Sequence, residues 1–280
     1  VVERPLLSII TNVSLEHTQY LGKSPAEIAA RKSGIIKKNR PVITAAAQEE
    51  VLQVIRGKAE EQESALFEVY REMTWQLIEE TPDGQYFAVC GPGYDYGKLF
   101  LPLRGDHQLA NAATALLALE VLMRLGWIIP LEDVRRGLAC TFWPGRLEKV
   151  SRAPLIVLDG AHNPAGMQVL AAWLKKQRPR YRRVILLIGM LADKDRISSV
   201  QFLNNLADSI IITRPPSVRA DHWEELAGYF DQPGQEIVQI EGWQEALKRA
   251  REQLGPEDLL LITGSLYLIG AVRASLLSSG

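Results

Sequence analysis

Leu155-Ile156-Val157-Leu158-Asp159-Gly160-Ala161-His162-Asn163-Pro164 is the stretch on which the fold turns. Its unbroken aliphatic run reads as a strand buried on both faces, and Asn163-Pro164 supplies a helix cap followed by a first helical residue. Asp159 and His162 then sit on a strand-to-helix turn at the carboxyl end of a buried strand, where open α/β sheets place ligands. The N–H groups opening a helix over 163–177 would favour an anion there. On these ten residues alone, an ordinary strand–loop–helix corner is an equally good reading.

Outward from this turn the second half alternates regularly. Strands fit 155–158, 184–188, 209–213, 237–240 and 259–263, and helices fit 163–177, 195–206, 219–229, 243–254 and 266–278. That order predicts an α/β, Rossmann-like doubly wound domain over 148–280. It has no Gly-x-Gly-x-x-Gly, so a dinucleotide site is not supported. Three of its strand ends carry Asp159 with His162, Lys194 within Asp193-Lys194-Asp195, and Ser265 within Gly264-Ser265-Leu266-Tyr267. They converge on one sheet edge, which favours a small-ligand site over a protein-binding surface.

Before it, Phe142-Trp143-Pro144-Gly145-Arg146 stops any regular element, and the expected hinge spans 142–147 between a first domain over 1–141 and the second. In the first domain Leu6 to Val13 reads as a buried strand, followed by a polar turn at 14–18. Ser24 and Glu27 form a capping-box pair around Pro25, opening a helix through about Lys32 that Gly34 ends. A strand over 41–45 and a helix over 48–61 give strand–helix–strand–helix order and a parallel sheet. Short segments at 65–70, 73–79, 86–90 and 96–101 look like antiparallel hairpins. Residues 107–125 read as a helix ended by Gly126, and 130–140 as another. The chain opens on Val1 and enters a strand almost at once, so it reads as the back portion of a longer protein.

Composition narrows the function. A hydrophobic fraction of 47%, a charged fraction of 23% and a net charge of −1 are those of an ordinary globular protein. With the two signs mixed along the chain, a nucleic-acid surface is not indicated. Cys90 and Cys140 are too few for a disulfide framework and lack metal-ligand spacing. No apolar run is long enough for a membrane span, and a reducing, cytoplasmic compartment is the expectation.

Several residues invite chemistry. Gly93 to Lys98 superficially suggests a phosphate loop but fails, because Leu99 replaces the needed Ser or Thr and the context is a hairpin. His17 follows a strand, and Lys32 ends a short helix that could fold back beside it. Taken singly, each is more often a surface residue. Asn111, one turn after His107, shares its helix face and suits an adenine edge or a phosphate, against a plain polar strip. Arg146 in the hinge offers an always-charged fork to a phosphate, the alternative being an ion pair with Glu148.

Together these segments resemble the folylpolyglutamate synthase/dihydrofolate synthase family of the Mur ligase superfamily. The matching residues are Leu15-Glu16-His17, Lys32-Ser33-Gly34-Ile35-Ile36-Lys37, Gly105-Asp106-His107-Gln108 with Asn111-Ala112-Ala113, and Pro144-Gly145-Arg146-Leu147-Glu148. They continue through Leu158 to Pro164, Asp193-Lys194-Asp195 and Gly264-Ser265-Leu266-Tyr267. The resemblance implies the latter part of a central ATPase domain followed by a glutamate-ligase domain. It implies an ATP-dependent ligase that phosphorylates dihydropteroate or a folate γ-carboxylate and lets L-glutamate attack the acyl phosphate. ATP and Mg²⁺ would be required, the other partners being small molecules and the protein a monomer.

By the same resemblance His17 is a Mg²⁺ ligand and Lys32 a carbamylated one. Asn111, Arg146 and Asp159 contact ATP, whereas His162, Ser265 and Lys194 lie near the incoming glutamate. Lys32 and His162 are the catalytic pair. Glu16 stands where Asp is usual and Ser33 where Ala is usual. The family's phosphate loop, acidic metal ligand and much of its pterin site would lie upstream of Val1, so this chain alone is expected to be inactive. A Mur-type cell-wall amino-acid ligase and a non-catalytic degenerate relative are the competing readings.

Overall fold

The computed structural model describes residues 2–13, 22–230 and 236–278. The chain divides into two compact units, Val1–Phe142 and Trp143–Gly280.

The first unit opens with β1 (Ser8–Ile10), and helix α1 (Pro25–Lys32) follows. Ser24 caps α1, its hydroxyl accepting the Glu27 N–H at 3.2 Å. The Glu27 carboxylate turns back to the Lys23 N–H at 2.8 Å, one residue short of the cap that a strict capping box would reach. Strand β2 (Val42–Thr44), helix α2 (Glu49–Glu61) and β3 (Leu66–Glu68) complete a parallel sheet of order β1-β2-β3. Val42 packs with Ile28, Val51 and Ile55 of the helices, and Ile43 packs on the opposite face.

Two expectations change here. The first strand is not buried throughout: β1 pairs only with β2 among the described residues, and Ile9 is 39% exposed. Segment 65–70 is no hairpin arm. Its β3 lies parallel to β2, and the chain turns at once into a one-turn helix, α3 (Val69–Glu72). The real antiparallel meander is β4 (Thr74–Thr81), β5 (Gly84–Cys90) and β6 (Asp95–Leu101). The long helix α4 (Asp106–Arg124) buries Leu109, Ala113, Leu116 and Leu117 in a core shared by Ile43 of the parallel sheet and Phe87 and Leu99 of the meander. Helix α5 (Leu131–Ala139) closes the unit.

The second unit is a six-stranded sheet. Strands β7 (Glu148–Arg152), β8 (Leu155–Leu158), β9 (Val184–Ile188), β10 (Ser209–Ile212), β11 (Glu236–Gln239) and β12 (Leu259–Thr263) stand in the order β11-β10-β9-β12-β8-β7. All neighbours are parallel except β7, an antiparallel edge strand that the sequence pattern did not reveal. Side chains alternate strictly between two cores. Val157, Leu186, Ile210 and Leu261 face α6 (Pro164–Gln177) and α7 (Arg196–Gln201). Leu158, Leu187, Ile211 and Ile262 face α8 (Trp243–Glu252) and α9 (Leu266–Ser278). Helices on both faces of a largely parallel sheet make the expected doubly wound domain. Of the expected helix over 219–229, only 3₁₀ turns at Trp223–Tyr229 form, entered through His222 in the left-handed conformation at φ 51°. The helix expected over 195–206 stops at Gln201.

Candidate functional site

At the carboxyl edge of the second sheet the hydrogen-bond ladder continues one residue past the strands. Asp159 N–H donates to Ile262 O (3.0 Å), Gly189 to Thr263 O (3.2 Å), Thr213 to Ile188 O (3.0 Å) and Gly264 to Ala161 O (3.0 Å). Closure this tight requires glycine: a Cβ on Gly264, whose φ is +103°, would lie 2.6 Å from Gly189 O. The loops leaving β8, β9, β10 and β12 therefore share one fixed base.

Asp159 is buried, with Oδ2 accepting the Leu147 N–H and Oδ1 the Ala161 N–H, both at 2.9 Å. Burial pushes its carboxyl above the ordinary range, against the pull of those two N–H groups and of the positive field of Arg146 and His162. The Gly160 N–H donates to Gly145 O at 2.7 Å, so the 145–147 loop is tied twice to the turn after β8. Leu147 is held there with a φ of 46°. Between the ties stands Arg146, which feels the charge of Asp159 but makes no ion pair with it among the described residues. The alternative partner, Glu148, is engaged elsewhere: its carboxylate accepts Arg273 Nε at 2.9 and 3.0 Å and the Gly145 N–H at 2.8 Å.

His162 Nδ1 lies 2.8 Å from Gly160 O. That contact is a hydrogen bond when Nδ1 carries the proton; in the neutral imidazole this tautomer leaves the lone pair on Nε2. Asn163 caps α6 through the Gly166 N–H (2.7 Å), and Pro164 takes the first helical position. Ser265 is buried and accepts the Tyr267 N–H at 3.2 Å, capping α9. Lys194, its side chain 16% exposed, lies 3.8 Å from Asp193 Oδ2. The same oxygen bonds Arg219, which also interacts with Tyr267. Arg219 and the buried Arg196 are additions to the expected set. Both follow strand ends, but nothing in their sequence spacing sets them apart from other surface arginines.

The second unit thus gathers Arg146, Asp159, His162, Lys194 and Ser265 at one sheet edge. In the first unit Lys32 is the last residue of α1, followed by Ser33, whose buried hydroxyl has no hydrogen-bond partner among the described residues. Asn111 is exposed on the first turns of α4, its amide donating to Gln108 Oε1 at 3.1 Å, and Gln108 also meets the His107 ring at 3.0 Å. His17 lies outside the described residues. Among the described residues no three His, Cys, Asp or Glu side chains cluster as a metal would need, and Lys32 by itself is a cation. The described residues alone therefore do not fit Mg²⁺.

The fold of both units is that of the Mur ligases. The family model "Mur ligase middle domain" matches residues 2–119, and "Mur ligase, glutamate ligase domain" matches 145–266. The chain belongs to the folylpolyglutamate synthase/dihydrofolate synthase family of these ligases. It is 34% identical over 281 residues to the Bacillus subtilis dihydrofolate synthase/folylpolyglutamate synthase, covering 98% of this chain and 64% of that protein. It is also 34% identical to the Lacticaseibacillus casei folylpolyglutamate synthase, covering 98% and 62%. Among solved structures, Mycobacterium tuberculosis folylpolyglutamate synthase complexed with ADP and AMPPCP superposes with a TM-score of 0.88 at 28% identity, over 96% of this chain and 63% of that one. E. coli FolC in complex with DHPP and ADP gives 0.83 at 26%, over 98% and 62%. The chain spans less than two thirds of the length of these relatives. Among the described residues no helix is long and apolar enough to cross a membrane.

Proposed function

We propose that the protein is an ATP-dependent ligase joining L-glutamate to dihydropteroate or to the γ-carboxylate of a folate's glutamate tail. The observation that carries this reading is the braced edge of the second sheet, where a buried carboxylate, a guanidinium, an imidazole and an ammonium leave adjoining loops. The acid's carboxylate oxygen attacks the γ-phosphorus of ATP, ADP leaves, and an acyl phosphate forms. The glutamate nitrogen then attacks the acyl carbon, phosphate leaves, and an amide remains. Both transition states gather negative charge, which an arginine that makes no ion pair among the described residues is suited to meet.

We assign Arg146 and Asp159 to the nucleotide, together with Asn111 of the first unit. His162, Ser265 and Lys194 are assigned to the incoming glutamate, with His162 Nε2 accepting the proton that the amine sheds. His17 and a carbamylated Lys32 would attend the Mg²⁺ that accompanies ATP. The protein is proposed to act as a cytoplasmic monomer. The names of the relatives support this substrate class, as does the FolC complex with DHPP and ADP.

The test is ADP formation by the complete ligase, not by this chain alone, with a pterin acid and a panel of amino acids. L-Glutamate should be preferred, and Lys194→Ala should raise KM for glutamate at least tenfold with KM for ATP unchanged. Turnover that responds to UDP-linked peptides and not to pterin acids would overturn the assignment.

A further inference from the structure

Arg196 opens α7 and is 6% exposed. Its guanidinium spends four hydrogen bonds on backbone carbonyls and, among the described residues, none on a carboxylate. Nε donates to Leu191 O (3.1 Å) and Nη2 to Met190 O (3.0 Å), both in the loop after β9. Nη2 also donates to Asp221 O (2.8 Å) and Nη1 to His222 O (2.6 Å), both in the loop after β10. One planar fork therefore clamps two loops.

The same loops are joined twice more. Ala192 N–H donates to Arg219 O at 2.9 Å, and the Arg219 guanidinium meets Asp193. Lys194, three residues beyond Leu191, leans on that same carboxylate. A buried guanidinium whose partners among the described residues are all neutral dipoles is an expensive way to fill space. Only arginine presents enough donors in one plane to satisfy four carbonyls of irregular backbone, and one of these belongs to His222 in its left-handed conformation.

We infer that Arg196 is a positioning residue of the amino-acid subsite, locking loop 190–195 to loop 217–222 so that Lys194 and Arg219 present their cations together to a carboxylate of the incoming amino acid. This rests on the function proposed above for Lys194 and extends it to two residues outside that assignment. Arg196 touches no substrate; it acts through the loops.

Arg196→Met and Arg196→Lys separate the possibilities. Amide exchange over 190–195 and 217–222 should quicken at least tenfold in Arg196→Met, with β9 and β12 unchanged, and Arg196→Lys should fall between. In the same preparations, titration with L-glutamate followed by NMR of the Lys194 and Arg219 side chains should show binding at least tenfold weaker in Arg196→Met and partly restored in Arg196→Lys. Unchanged exchange in both loops would overturn the clamp. Loosened loops with undiminished glutamate binding would reduce Arg196 to a structural residue and overturn the inference. Loosened loops in a protein whose wild type ignores glutamate would keep the clamp and sink the substrate assignment instead. Should Arg196→Met fail to fold, Arg196→Lys carries the same comparison.

Discussion

Two glycine-to-alanine changes six residues apart should move stability in opposite directions. At Gly264 the backbone stands at φ +103°, and an added Cβ meets Gly189 O at 2.6 Å, Gly189 C at 3.0 Å and Ile188 Cγ1 at 3.0 Å. The conformational strain costs ~1–3 kcal/mol. The contact falls on backbone that the ladder holds, so relieving it costs roughly another 1–3 kcal/mol. Gly264→Ala should therefore destabilise by about 4 kcal/mol. Gly270 lies exposed on α9 with nothing within 4 Å of an added Cβ. Gly270→Ala should stabilise by ~0.8–1 kcal/mol through helix propensity alone. Urea denaturation followed by circular dichroism reads both: with slopes of ~1–3 kcal/mol per M, the Gly264→Ala midpoint drops by about 1 M or more. The Gly270→Ala midpoint rises by a few tenths. Coincident midpoints for the two variants would refute the claim that close approach of strand ends, rather than glycine content, builds this edge.

The buried acids Asp159 and Asp258 should show opposite pH signatures. Burial raises the Asp159 carboxyl, so its unfolded form loses the proton first, and the wild type should lose stability relative to Asp159→Asn as pH climbs through the carboxylate range. Burial also opposes the Asp258 charge, but hydrogen bonds from Arg183 and the Gly255 N–H outweigh it and hold that carboxyl low. The wild type should gain stability relative to Asp258→Asn over the same rise and lose it as pH falls through the lowered value; parallel pH profiles would contradict both. Glu148→Ala removes the carboxylate that holds Arg273 Nε and the Gly145 N–H next to Arg146, which should cost ~1–3 kcal/mol in a denaturation midpoint and raise KM for ATP. For Lys32, ¹³C-bicarbonate should give a carbamate carbon signal that Lys32→Arg abolishes. Its absence together with full activity of Lys32→Ala would remove the metal role.

The second unit was legible because its strands are buried on both faces: runs such as Leu155–Leu158 and Leu259–Thr263 admit little other than central parallel strands. β7 escaped because Glu148–Arg152 is an edge strand with polar side chains, carrying no periodic apolar signal. Segment 65–70 misled for a related reason: three residues of strand look the same whether the partner lies in a meander or in a parallel sheet. At the site, Asp159 and His162 announced themselves by standing just after an apolar run. Arg196 did not, since what distinguishes it is four carbonyls on two loops, two of them just before it and two 25 and 26 residues after it in sequence, and tertiary folding alone brings these together.

The ladder's extra rung also explains where the candidate residues stand. Asp159, Gly189, Thr213 and Gly264 each spend the first N–H after the strand on a neighbouring strand end or turn, so these backbone donors are not free to cradle a ligand. A phosphate cradle of the glycine-rich kind works through such free N–H groups. An edge that commits them must instead meet its ligand with side chains from later positions, where His162, Lys194, Arg219 and Ser265 are found, or from a loop tied to the edge, as Arg146 is. Position and identity are thereby separated: backbone hydrogen bonds and two glycines fix where each loop starts, while the side chains are held by few bonds of their own. Exchanging Lys194 or Arg219 should alter which amino acid is accepted at little cost in stability, whereas changing Gly189 or Gly264 should damage every loop at once.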